Sequence, residues 1–391
     1  MPRLVSPCVA LLAFLAALAV PALAQERPIV IGLTMAQTGL LADLGASYSR
    51  GLALWLEEAN ASGGSLGRRF ELRIRDDKSA ANGVEALYER LVTEDKVDVL
   101  LGPVGSAATL PAMAVAEQRR RMLINATGVD TALLKRGNRY TYHVPAAAQD
   151  YGTHILPLFR QSDAKRVLLF DNDDSGMGAR LREDAKLLGL PLEVAGTGFV
   201  GDTLTIIEQA RKRGIDAVIV TGAPGDAADV VKAMKKAAFA PRIIIASGAR
   251  HPEFVRLVGQ DAEYVVGVVQ YSPAQRTPGN AAFVAAYRAK HKQAPDFFAA
   301  CAYAAGKVLE AGLREAGTTD SEKLREALLR IRVDTPLGAH EAGKDGAQAG
   351  ARPVLMQMQK GRREIVWPES AATAKPVVPY PAWSARTLLT K

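Results

Sequence analysis

From Pro28 to Ala246, apolar runs of strand length alternate with segments of helical period, and this alternation leaves the chain few architectures. Runs at 29–33, 70–75, 97–101, 122–124 and 140–144 read as strands, with helices between them that include 47–61 and 84–93. The helix at 47–61 sets Leu52, Trp55, Leu56 and Ala59 on one face and stops at Ser62-Gly63-Gly64. The same grammar restarts at Tyr151. Strands at 166–170, 192–196, 217–220 and 242–246 alternate with helices at 151–161, 179–188, 204–213 and 227–237. Repeated βα units require parallel sheets with helices on both faces. After a run at 264–271 the pattern turns helical at 280–291, 296–316 and 321–331, and two short strands follow at 353–359 and 364–367. The Ala/Pro-rich tail beyond Pro368 is expected to be extended or partly disordered.

The first 24 residues stand outside this pattern. Arg3, an unbroken apolar run at 9–20 and Ala22-Leu23-Ala24 make a secretory signal peptide, its run too short for a bilayer span of roughly 20 residues. The remaining chain of about 365 residues exceeds what one core supports, so an α/β protein of two doubly wound parallel-sheet lobes is expected. It keeps a single cysteine, Cys301, which excludes an internal disulfide and reads as a buried packing residue in an Ala-rich helix. Removal of Arg3 takes the formal charge from +8 to +7, but the basic residues are scattered and not interleaved with aromatics, so a nucleic-acid partner is not expected.

In sheets of this kind ligands bind beyond the carboxyl ends of the strands, here at 34–39, 102–106, 125–129, 171–175, 222–224 and 247–250. The most suggestive is the segment LLGPVGSAATLPAMA at 100–114, in which Gly102 and Gly105 permit conformations and close approaches that a Cβ resists. Ser106 stands where an N-cap belongs, before helix N–H groups suited to a carboxylate. Other candidates fall away. The run Asp171-Asn-Asp173-Asp-Ser175-Gly176 imitates half a calcium loop, but Arg182 occupies the twelfth position and the run follows a strand. His143, His154, His251, His291 and His340 have no metal-ligand spacing, Gly176-x-Gly178 lacks the third glycine of a dinucleotide fingerprint, and no nucleophile elbow surrounds Ser106. An enzyme, a metal and a cofactor are therefore not expected.

On these residues the chain resembles the extracytoplasmic solute-binding proteins of ABC importers, in the branched-chain amino-acid/amide-binding family with type I periplasmic architecture. The matching stretches are IGLTMAQTGLLADLG, LEEANASGGSLGRRFEL, DDKSA, DKVDVLLGPVGSAATLPAM, RVLLFDNDDSGMGARL, FFAACAYAAGKVLEAGL and DTPLG, which together span roughly 28 to 368. The resemblance implies a three-crossing hinge, with lobe I at 25–145 and 277–333, lobe II at 146–276 and 334–368, and a tail at 369–391. It implies further that Ser106, with Gly105 beside it, bonds a ligand carboxylate, that Thr127 and Val129 touch the carboxylate and amino group, and that Asp150 and Phe298 face the ligand. Ala223 joins them on the second lobe. Two positions depart from the pattern: Ser175 stands where amino-acid binders carry Tyr, and Gly248, two residues before Arg250, where they carry the Glu that pairs with the ammonium.

An ammonium in a closed cleft without a carboxylate bears a heavy desolvation penalty. The ligand class is therefore open between an amino acid and an aromatic or aliphatic acid, with Asp150 or an acid at 171–174 as the substitute partner. The expected protein is a monomeric periplasmic binder serving a membrane permease and ATPase. The alternatives are a sensory module reporting to a membrane receptor, on a fold that receptors share, and a secreted hydrolase using Ser106.

Overall fold

The computed structural model describes residues 27–385 apart from 136, 173–175 and 198–201, so the signal-peptide segment lies outside the described residues. Five strands, β1 (Ile29–Met35), β2 (Phe70–Asp76), β3 (Val99–Leu101), β4 (Leu123–Asn125) and β5 (Thr141–His143), form a sheet in the order β2-β1-β3-β4-β5 with every neighbour parallel. All of β1 is buried, as a strand covered by helices on both faces must be. The strand order reverses between β1 and β3, and the loop leading to Ser106 leaves the sheet there.

A second sheet takes β6 (Val167–Asp171), β7 (Leu192–Thr197), β8 (Ala217–Val220), β9 (Ile243–Ala246) and β10 (Val266–Val269) in the parallel order β7-β6-β8-β9-β10. The chain then returns to the first core with helices Asn280–His291, Phe297–Ala316 and Ser321–Leu328. A hairpin follows, β11 (Val333–Thr335) with β12 (Gly338–His340). Finally β13 (Val354–Gln359) joins the second sheet antiparallel to β10, and β14 (Arg362–Trp367) adds to it antiparallel to β13. Only an antiparallel pair can be joined by so short a turn, and Lys360 and Gly361, with φ of 52° and 72°, supply the left-handed pair that matches strand twist.

Several details differ from the sequence reading, the β11–β12 hairpin among them. The helix at 151–161 is a 3-10 segment, Ala148–His154, followed by α-helix Ile155–Gln161. A short helix, Pro252–Val258, was not expected; its start at Pro252 uses a residue preorganised for the first helical position. The tail is extended but docked as far as it is described: Tyr380 N–H donates to Arg242 O at 2.8 Å and its hydroxyl to Ile244 O at 2.7 Å.

Where the chain passes between the sheets, two buried glutamines join the crossings. Gln270 bonds Ala146 as a strand neighbour would, its Oε1 accepting from the Ala146 N–H and its Nε2 donating to the Ala146 carbonyl, each at 2.8 Å. Gln348 Nε2 donates to Val144 O at 3.1 Å, while its Oε1 accepts from the Gly350 and Ala351 N–H groups. A polar side chain placed this deep must satisfy its bonding, and both do so by tying one crossing to another.

Candidate functional site

The carboxyl end of β3 enters helix Ser106–Gln118 through Gly105, whose φ of +82° is a left-handed conformation suited to glycine. Gly105 is thus the N-cap and Ser106 the first helical residue, which corrects the expectation that Ser106 caps the helix. The turn at Gly105 brings the chain into the helix one residue early and points the Ser106 hydroxyl sideways. There it accepts from the N–H groups of Val129 and Asp130, both at 3.0 Å. Thr127 completes the group: its Oγ1 accepts from the Gly105 N–H at 2.9 Å and donates to Pro103 O at 2.8 Å. Gly102 serves differently, since a Cβ on it would stand 3.1 Å from Asn125 Cα in the neighbouring strand.

Four of the expected residues, Gly105, Ser106, Thr127 and Val129, therefore meet in one hydrogen-bonded cluster. Outside its chain neighbours, no heavy atom stands within 4 Å of the place a Gly105 Cβ would take, so there is open space beside Gly105. A serine hydroxyl has two acceptor positions and one hydrogen. With both acceptor positions filled by backbone N–H groups, Ser106 can only donate outward, beside the unpaired first N–H groups of a 13-residue helix. Sequence reasoning passed over Asn125, which shapes this loop: its Oδ1 accepts from the Gly128 N–H and its Nδ2 donates to Gly128 O, both at 2.8 Å. An Asn closing a strand three residues before a Gly was the available signal.

Two residues before Asp150, the Ala148 N–H donates to Val129 O at 2.6 Å, which ties that turn to the cluster. Burial pushes the Asp150 carboxyl above its ordinary range, against the pull of Arg352 and Arg180. On the second lobe Ala223 and Gly248 touch each other. A Cβ at Gly248 would fall 2.5 Å from Ala223 O and 2.8 Å from Pro224 Cα, so this backbone leaves no room there for a glutamate side chain. The Ala223 N–H is already given to Asp226 at 2.7 Å. Arg250 closes the same turn, one Nη donating to Ser247 O at 3.1 Å. Ser175 lies outside the described residues, and next to it Gly176, with φ of +90°, lies against Thr131, where the edges of the two lobes meet. Phe298 is half-buried and edge-on to Phe297 at 5.3 Å, at the start of the helix capped by Asp296.

The residues that imitated a calcium loop are otherwise engaged at their first position. Asp171 is buried and held by Arg182 and by the Thr221 hydroxyl at 3.1 Å. Among the described residues no group of three His, Cys, Asp or Glu is placed to hold a metal ion, and no helix is long and apolar enough to cross a membrane. Cys301 is fully buried and its thiol is pushed well above the ordinary value by desolvation, so it packs and does not react.

A family model described as periplasmic binding protein matches residues 28–363. An amino acid binding protein from Pseudomonas aeruginosa is 27% identical over 332 residues, covering 81% of this chain and 87% of that protein. Among solved structures, the branched-chain amino acid transporter substrate-binding protein from Streptococcus pneumoniae, in complex with isoleucine, gives a TM-score of 0.72 at 25% identity over 88% of this chain and all (100%) of the other. An ABC transporter solute-binding protein from R. palustris, in complex with benzoate, gives 0.71 at 19% identity, covering 93% of this chain and 100% of that one.

Proposed function

Because the chain belongs to the periplasmic binding protein family, whose members bind ligands and are not enzymes, we propose that it captures a small carboxylate-bearing solute between its lobes and delivers it to the permease and ATPase of an importer. The observation that carries this reading is the Ser106 hydroxyl, with both acceptor positions filled by backbone N–H groups and its hydrogen left to donate to a ligand. A carboxylate there accepts a charge-assisted hydrogen bond beside a positive helix end. The signal peptide at 1–24 supports export to the periplasm. Closure at three crossings, dividing the chain near 145/146, 276/277 and 333/334, would bring Ala223 and Gly248 over the solute.

Two ligand classes differ in what lies opposite the carboxylate. The crowded backbone at Gly248 leaves an amino-acid ammonium to Asp150, whose desolvated carboxyl gains by acquiring a cation. An aromatic or aliphatic acid needs no such partner. The relatives include a protein solved with isoleucine and another solved with benzoate, one from each class. A thermal-shift screen over leucine, isoleucine, benzoate and short aliphatic acids separates them, since a ligand adds RT ln(1 + [L]/Kd) to stability. Absence of a shift with every carboxylate removes the reading.

A further inference from the structure

We infer that Gln270 is a positioning residue for solute capture, a single amide that fastens two passages of the chain between the sheets and, through them, holds the loop that fills Ser106. This role presupposes a carboxylate site between the lobes, as proposed for Ser106.

Gln270 follows β10 at the carboxyl edge of the second sheet and is 7% exposed, while Ala146 follows β5, an edge strand of the first sheet. Both hydrogens of the amide and its oxygen are engaged. The oxygen accepts from the Ala146 N–H and Nε2 donates to Ala146 O, each at 2.8 Å, and the second Nε2 hydrogen goes to the Tyr151 hydroxyl at 2.5 Å. Turned over, the amide would set its nitrogen against an N–H and its oxygen against a carbonyl, so one orientation alone fits. The Tyr151 ring is itself buried in the core of the second lobe.

Gln270 therefore grips the segment 146–151 at both ends. In its middle the Ala148 N–H donates to Val129 O at 2.6 Å and the Gln149 N–H to the Thr131 hydroxyl at 3.1 Å. The N–H of the same Val129 fills an acceptor position on Ser106 Oγ. A series of hydrogen bonds thus runs from the edge of the second sheet to the serine hydroxyl of the first lobe, with Asp150 inside the gripped segment. Without the amide, this segment loses its hold on the end of β10, and closure over a solute must order it anew.

Nitroxide labels on Glu85→Cys and Lys232→Cys, exposed helix positions in the first and second lobes, leave the buried Cys301 untouched. Double electron–electron resonance on the ligand-free protein then reads the spread of interlobe distances. The wild type should give one width at about pH 9 and about pH 5.5. Gln270→Glu should be broader at about pH 9, where a carboxylate oxygen faces Ala146 O, and regain the wild-type width at about pH 5.5, where the neutral acid donates to that oxygen. Gln270→Leu should be broad at both. For whichever of leucine and benzoate binds the wild type, Gln270→Glu should bind about tenfold more weakly at the higher pH and recover at the lower. Widths equal to the wild type in both variants overturn the role, and so does a Gln270→Glu width that ignores pH, because acid does not repair a packing defect. If Gln270→Glu does not fold at the higher pH, Tyr151→Phe, which strands one Nε2 hydrogen, must broaden the distances or the role falls. An acid-repaired width with neither solute bound upholds the grip of Gln270 and removes the capture reading; solute binding with unchanged widths does the reverse.

Discussion

A serine hydroxyl has one hydrogen to give, and at Ser106 the two N–H groups of Val129 and Asp130 ensure that it is given outward. Ser106→Ala removes the donor and leaves those N–H groups without their acceptor. Titration calorimetry with the best carboxylate from the screen should show affinity falling by about 1–3 kcal/mol, the range for a hydrogen bond to a charged group. Ser106→Thr keeps the hydroxyl and should recover part of the loss; an unchanged affinity in the Ala variant would detach this residue from ligand binding. Gly105→Ala acts through the backbone. No atom outside the chain neighbours blocks the new methyl, but φ of 82° with ψ of 166° is a region nearly confined to glycine and costs an L-residue about 1–3 kcal/mol, read as a lower urea midpoint.

Between elements, the most extensive contact in the first lobe is that of helix Ala42–Ala61 with helix Phe297–Ala316, and small residues allow it. A Cβ on Gly51 would meet Ala299 O at 2.1 Å, and one on Gly306 would meet the buried Trp55 ring at 2.1 Å. Gly306→Ala should therefore destabilise despite the better helix propensity of alanine, by about 1–3 kcal/mol of overpacking less about 1 kcal/mol of propensity. Gly225→Ala is the contrast: it lies in the exposed first turn of helix Pro224–Lys236 with nothing within 4 Å, and its urea midpoint should hold or rise. The elements themselves were largely legible because strands such as β1 and β6 are unbroken apolar runs bounded by turn residues. Pro252–Val258 escaped because seven residues give less than two turns of period, and β11 with β12 because three-residue strands carry no pattern. At the site, glycines and a serine after a strand signalled an anion loop, but no local rule foretold that the hydroxyl would be filled by N–H groups from positions 129 and 130. That contact belongs to the pairing of β3 with β4.

For the molecule as a whole, the crossings between lobes hold two buried imidazoles, and their bonding requires both to be neutral. The Asn125 side chain has its oxygen on the Gly128 N–H, so its Nδ2 faces His143 Nδ1 as a donor, at 2.9 Å. Gln348 likewise spends its oxygen on the Gly350 and Ala351 N–H groups and turns its Nε2 to His340 Nδ1. In each ring Nδ1 faces an amide donor, and a proton there would set donor against donor, although at His340 the Val144 backbone oxygen pulls toward the protonated form. Burial lowers His143 to about 4, with Asp345 pulling the other way, and His340 to about 3. Both folded values lie below the ordinary 6.5, so the unfolded chain binds more protons as pH falls through that window. Their contribution is complete above pH of about 6.5 and is lost on acidification toward 4 and 3, at up to about 1.4 kcal/mol per pH unit for each ring. Urea midpoints measured from pH 7 down to 4.5 should fall accordingly, and His340→Gln, which keeps a neutral side chain beside Gln348, should flatten the slope relative to the wild type. An identical slope in the variant would mean that His340 is not among the groups that take up protons on unfolding. Because Gln348 ties the segment after β12 to Val144, the same acidification should loosen this segment before it unfolds the sheets, and faster amide exchange at 340–350 than in β1 at low pH is the measurement that reads it.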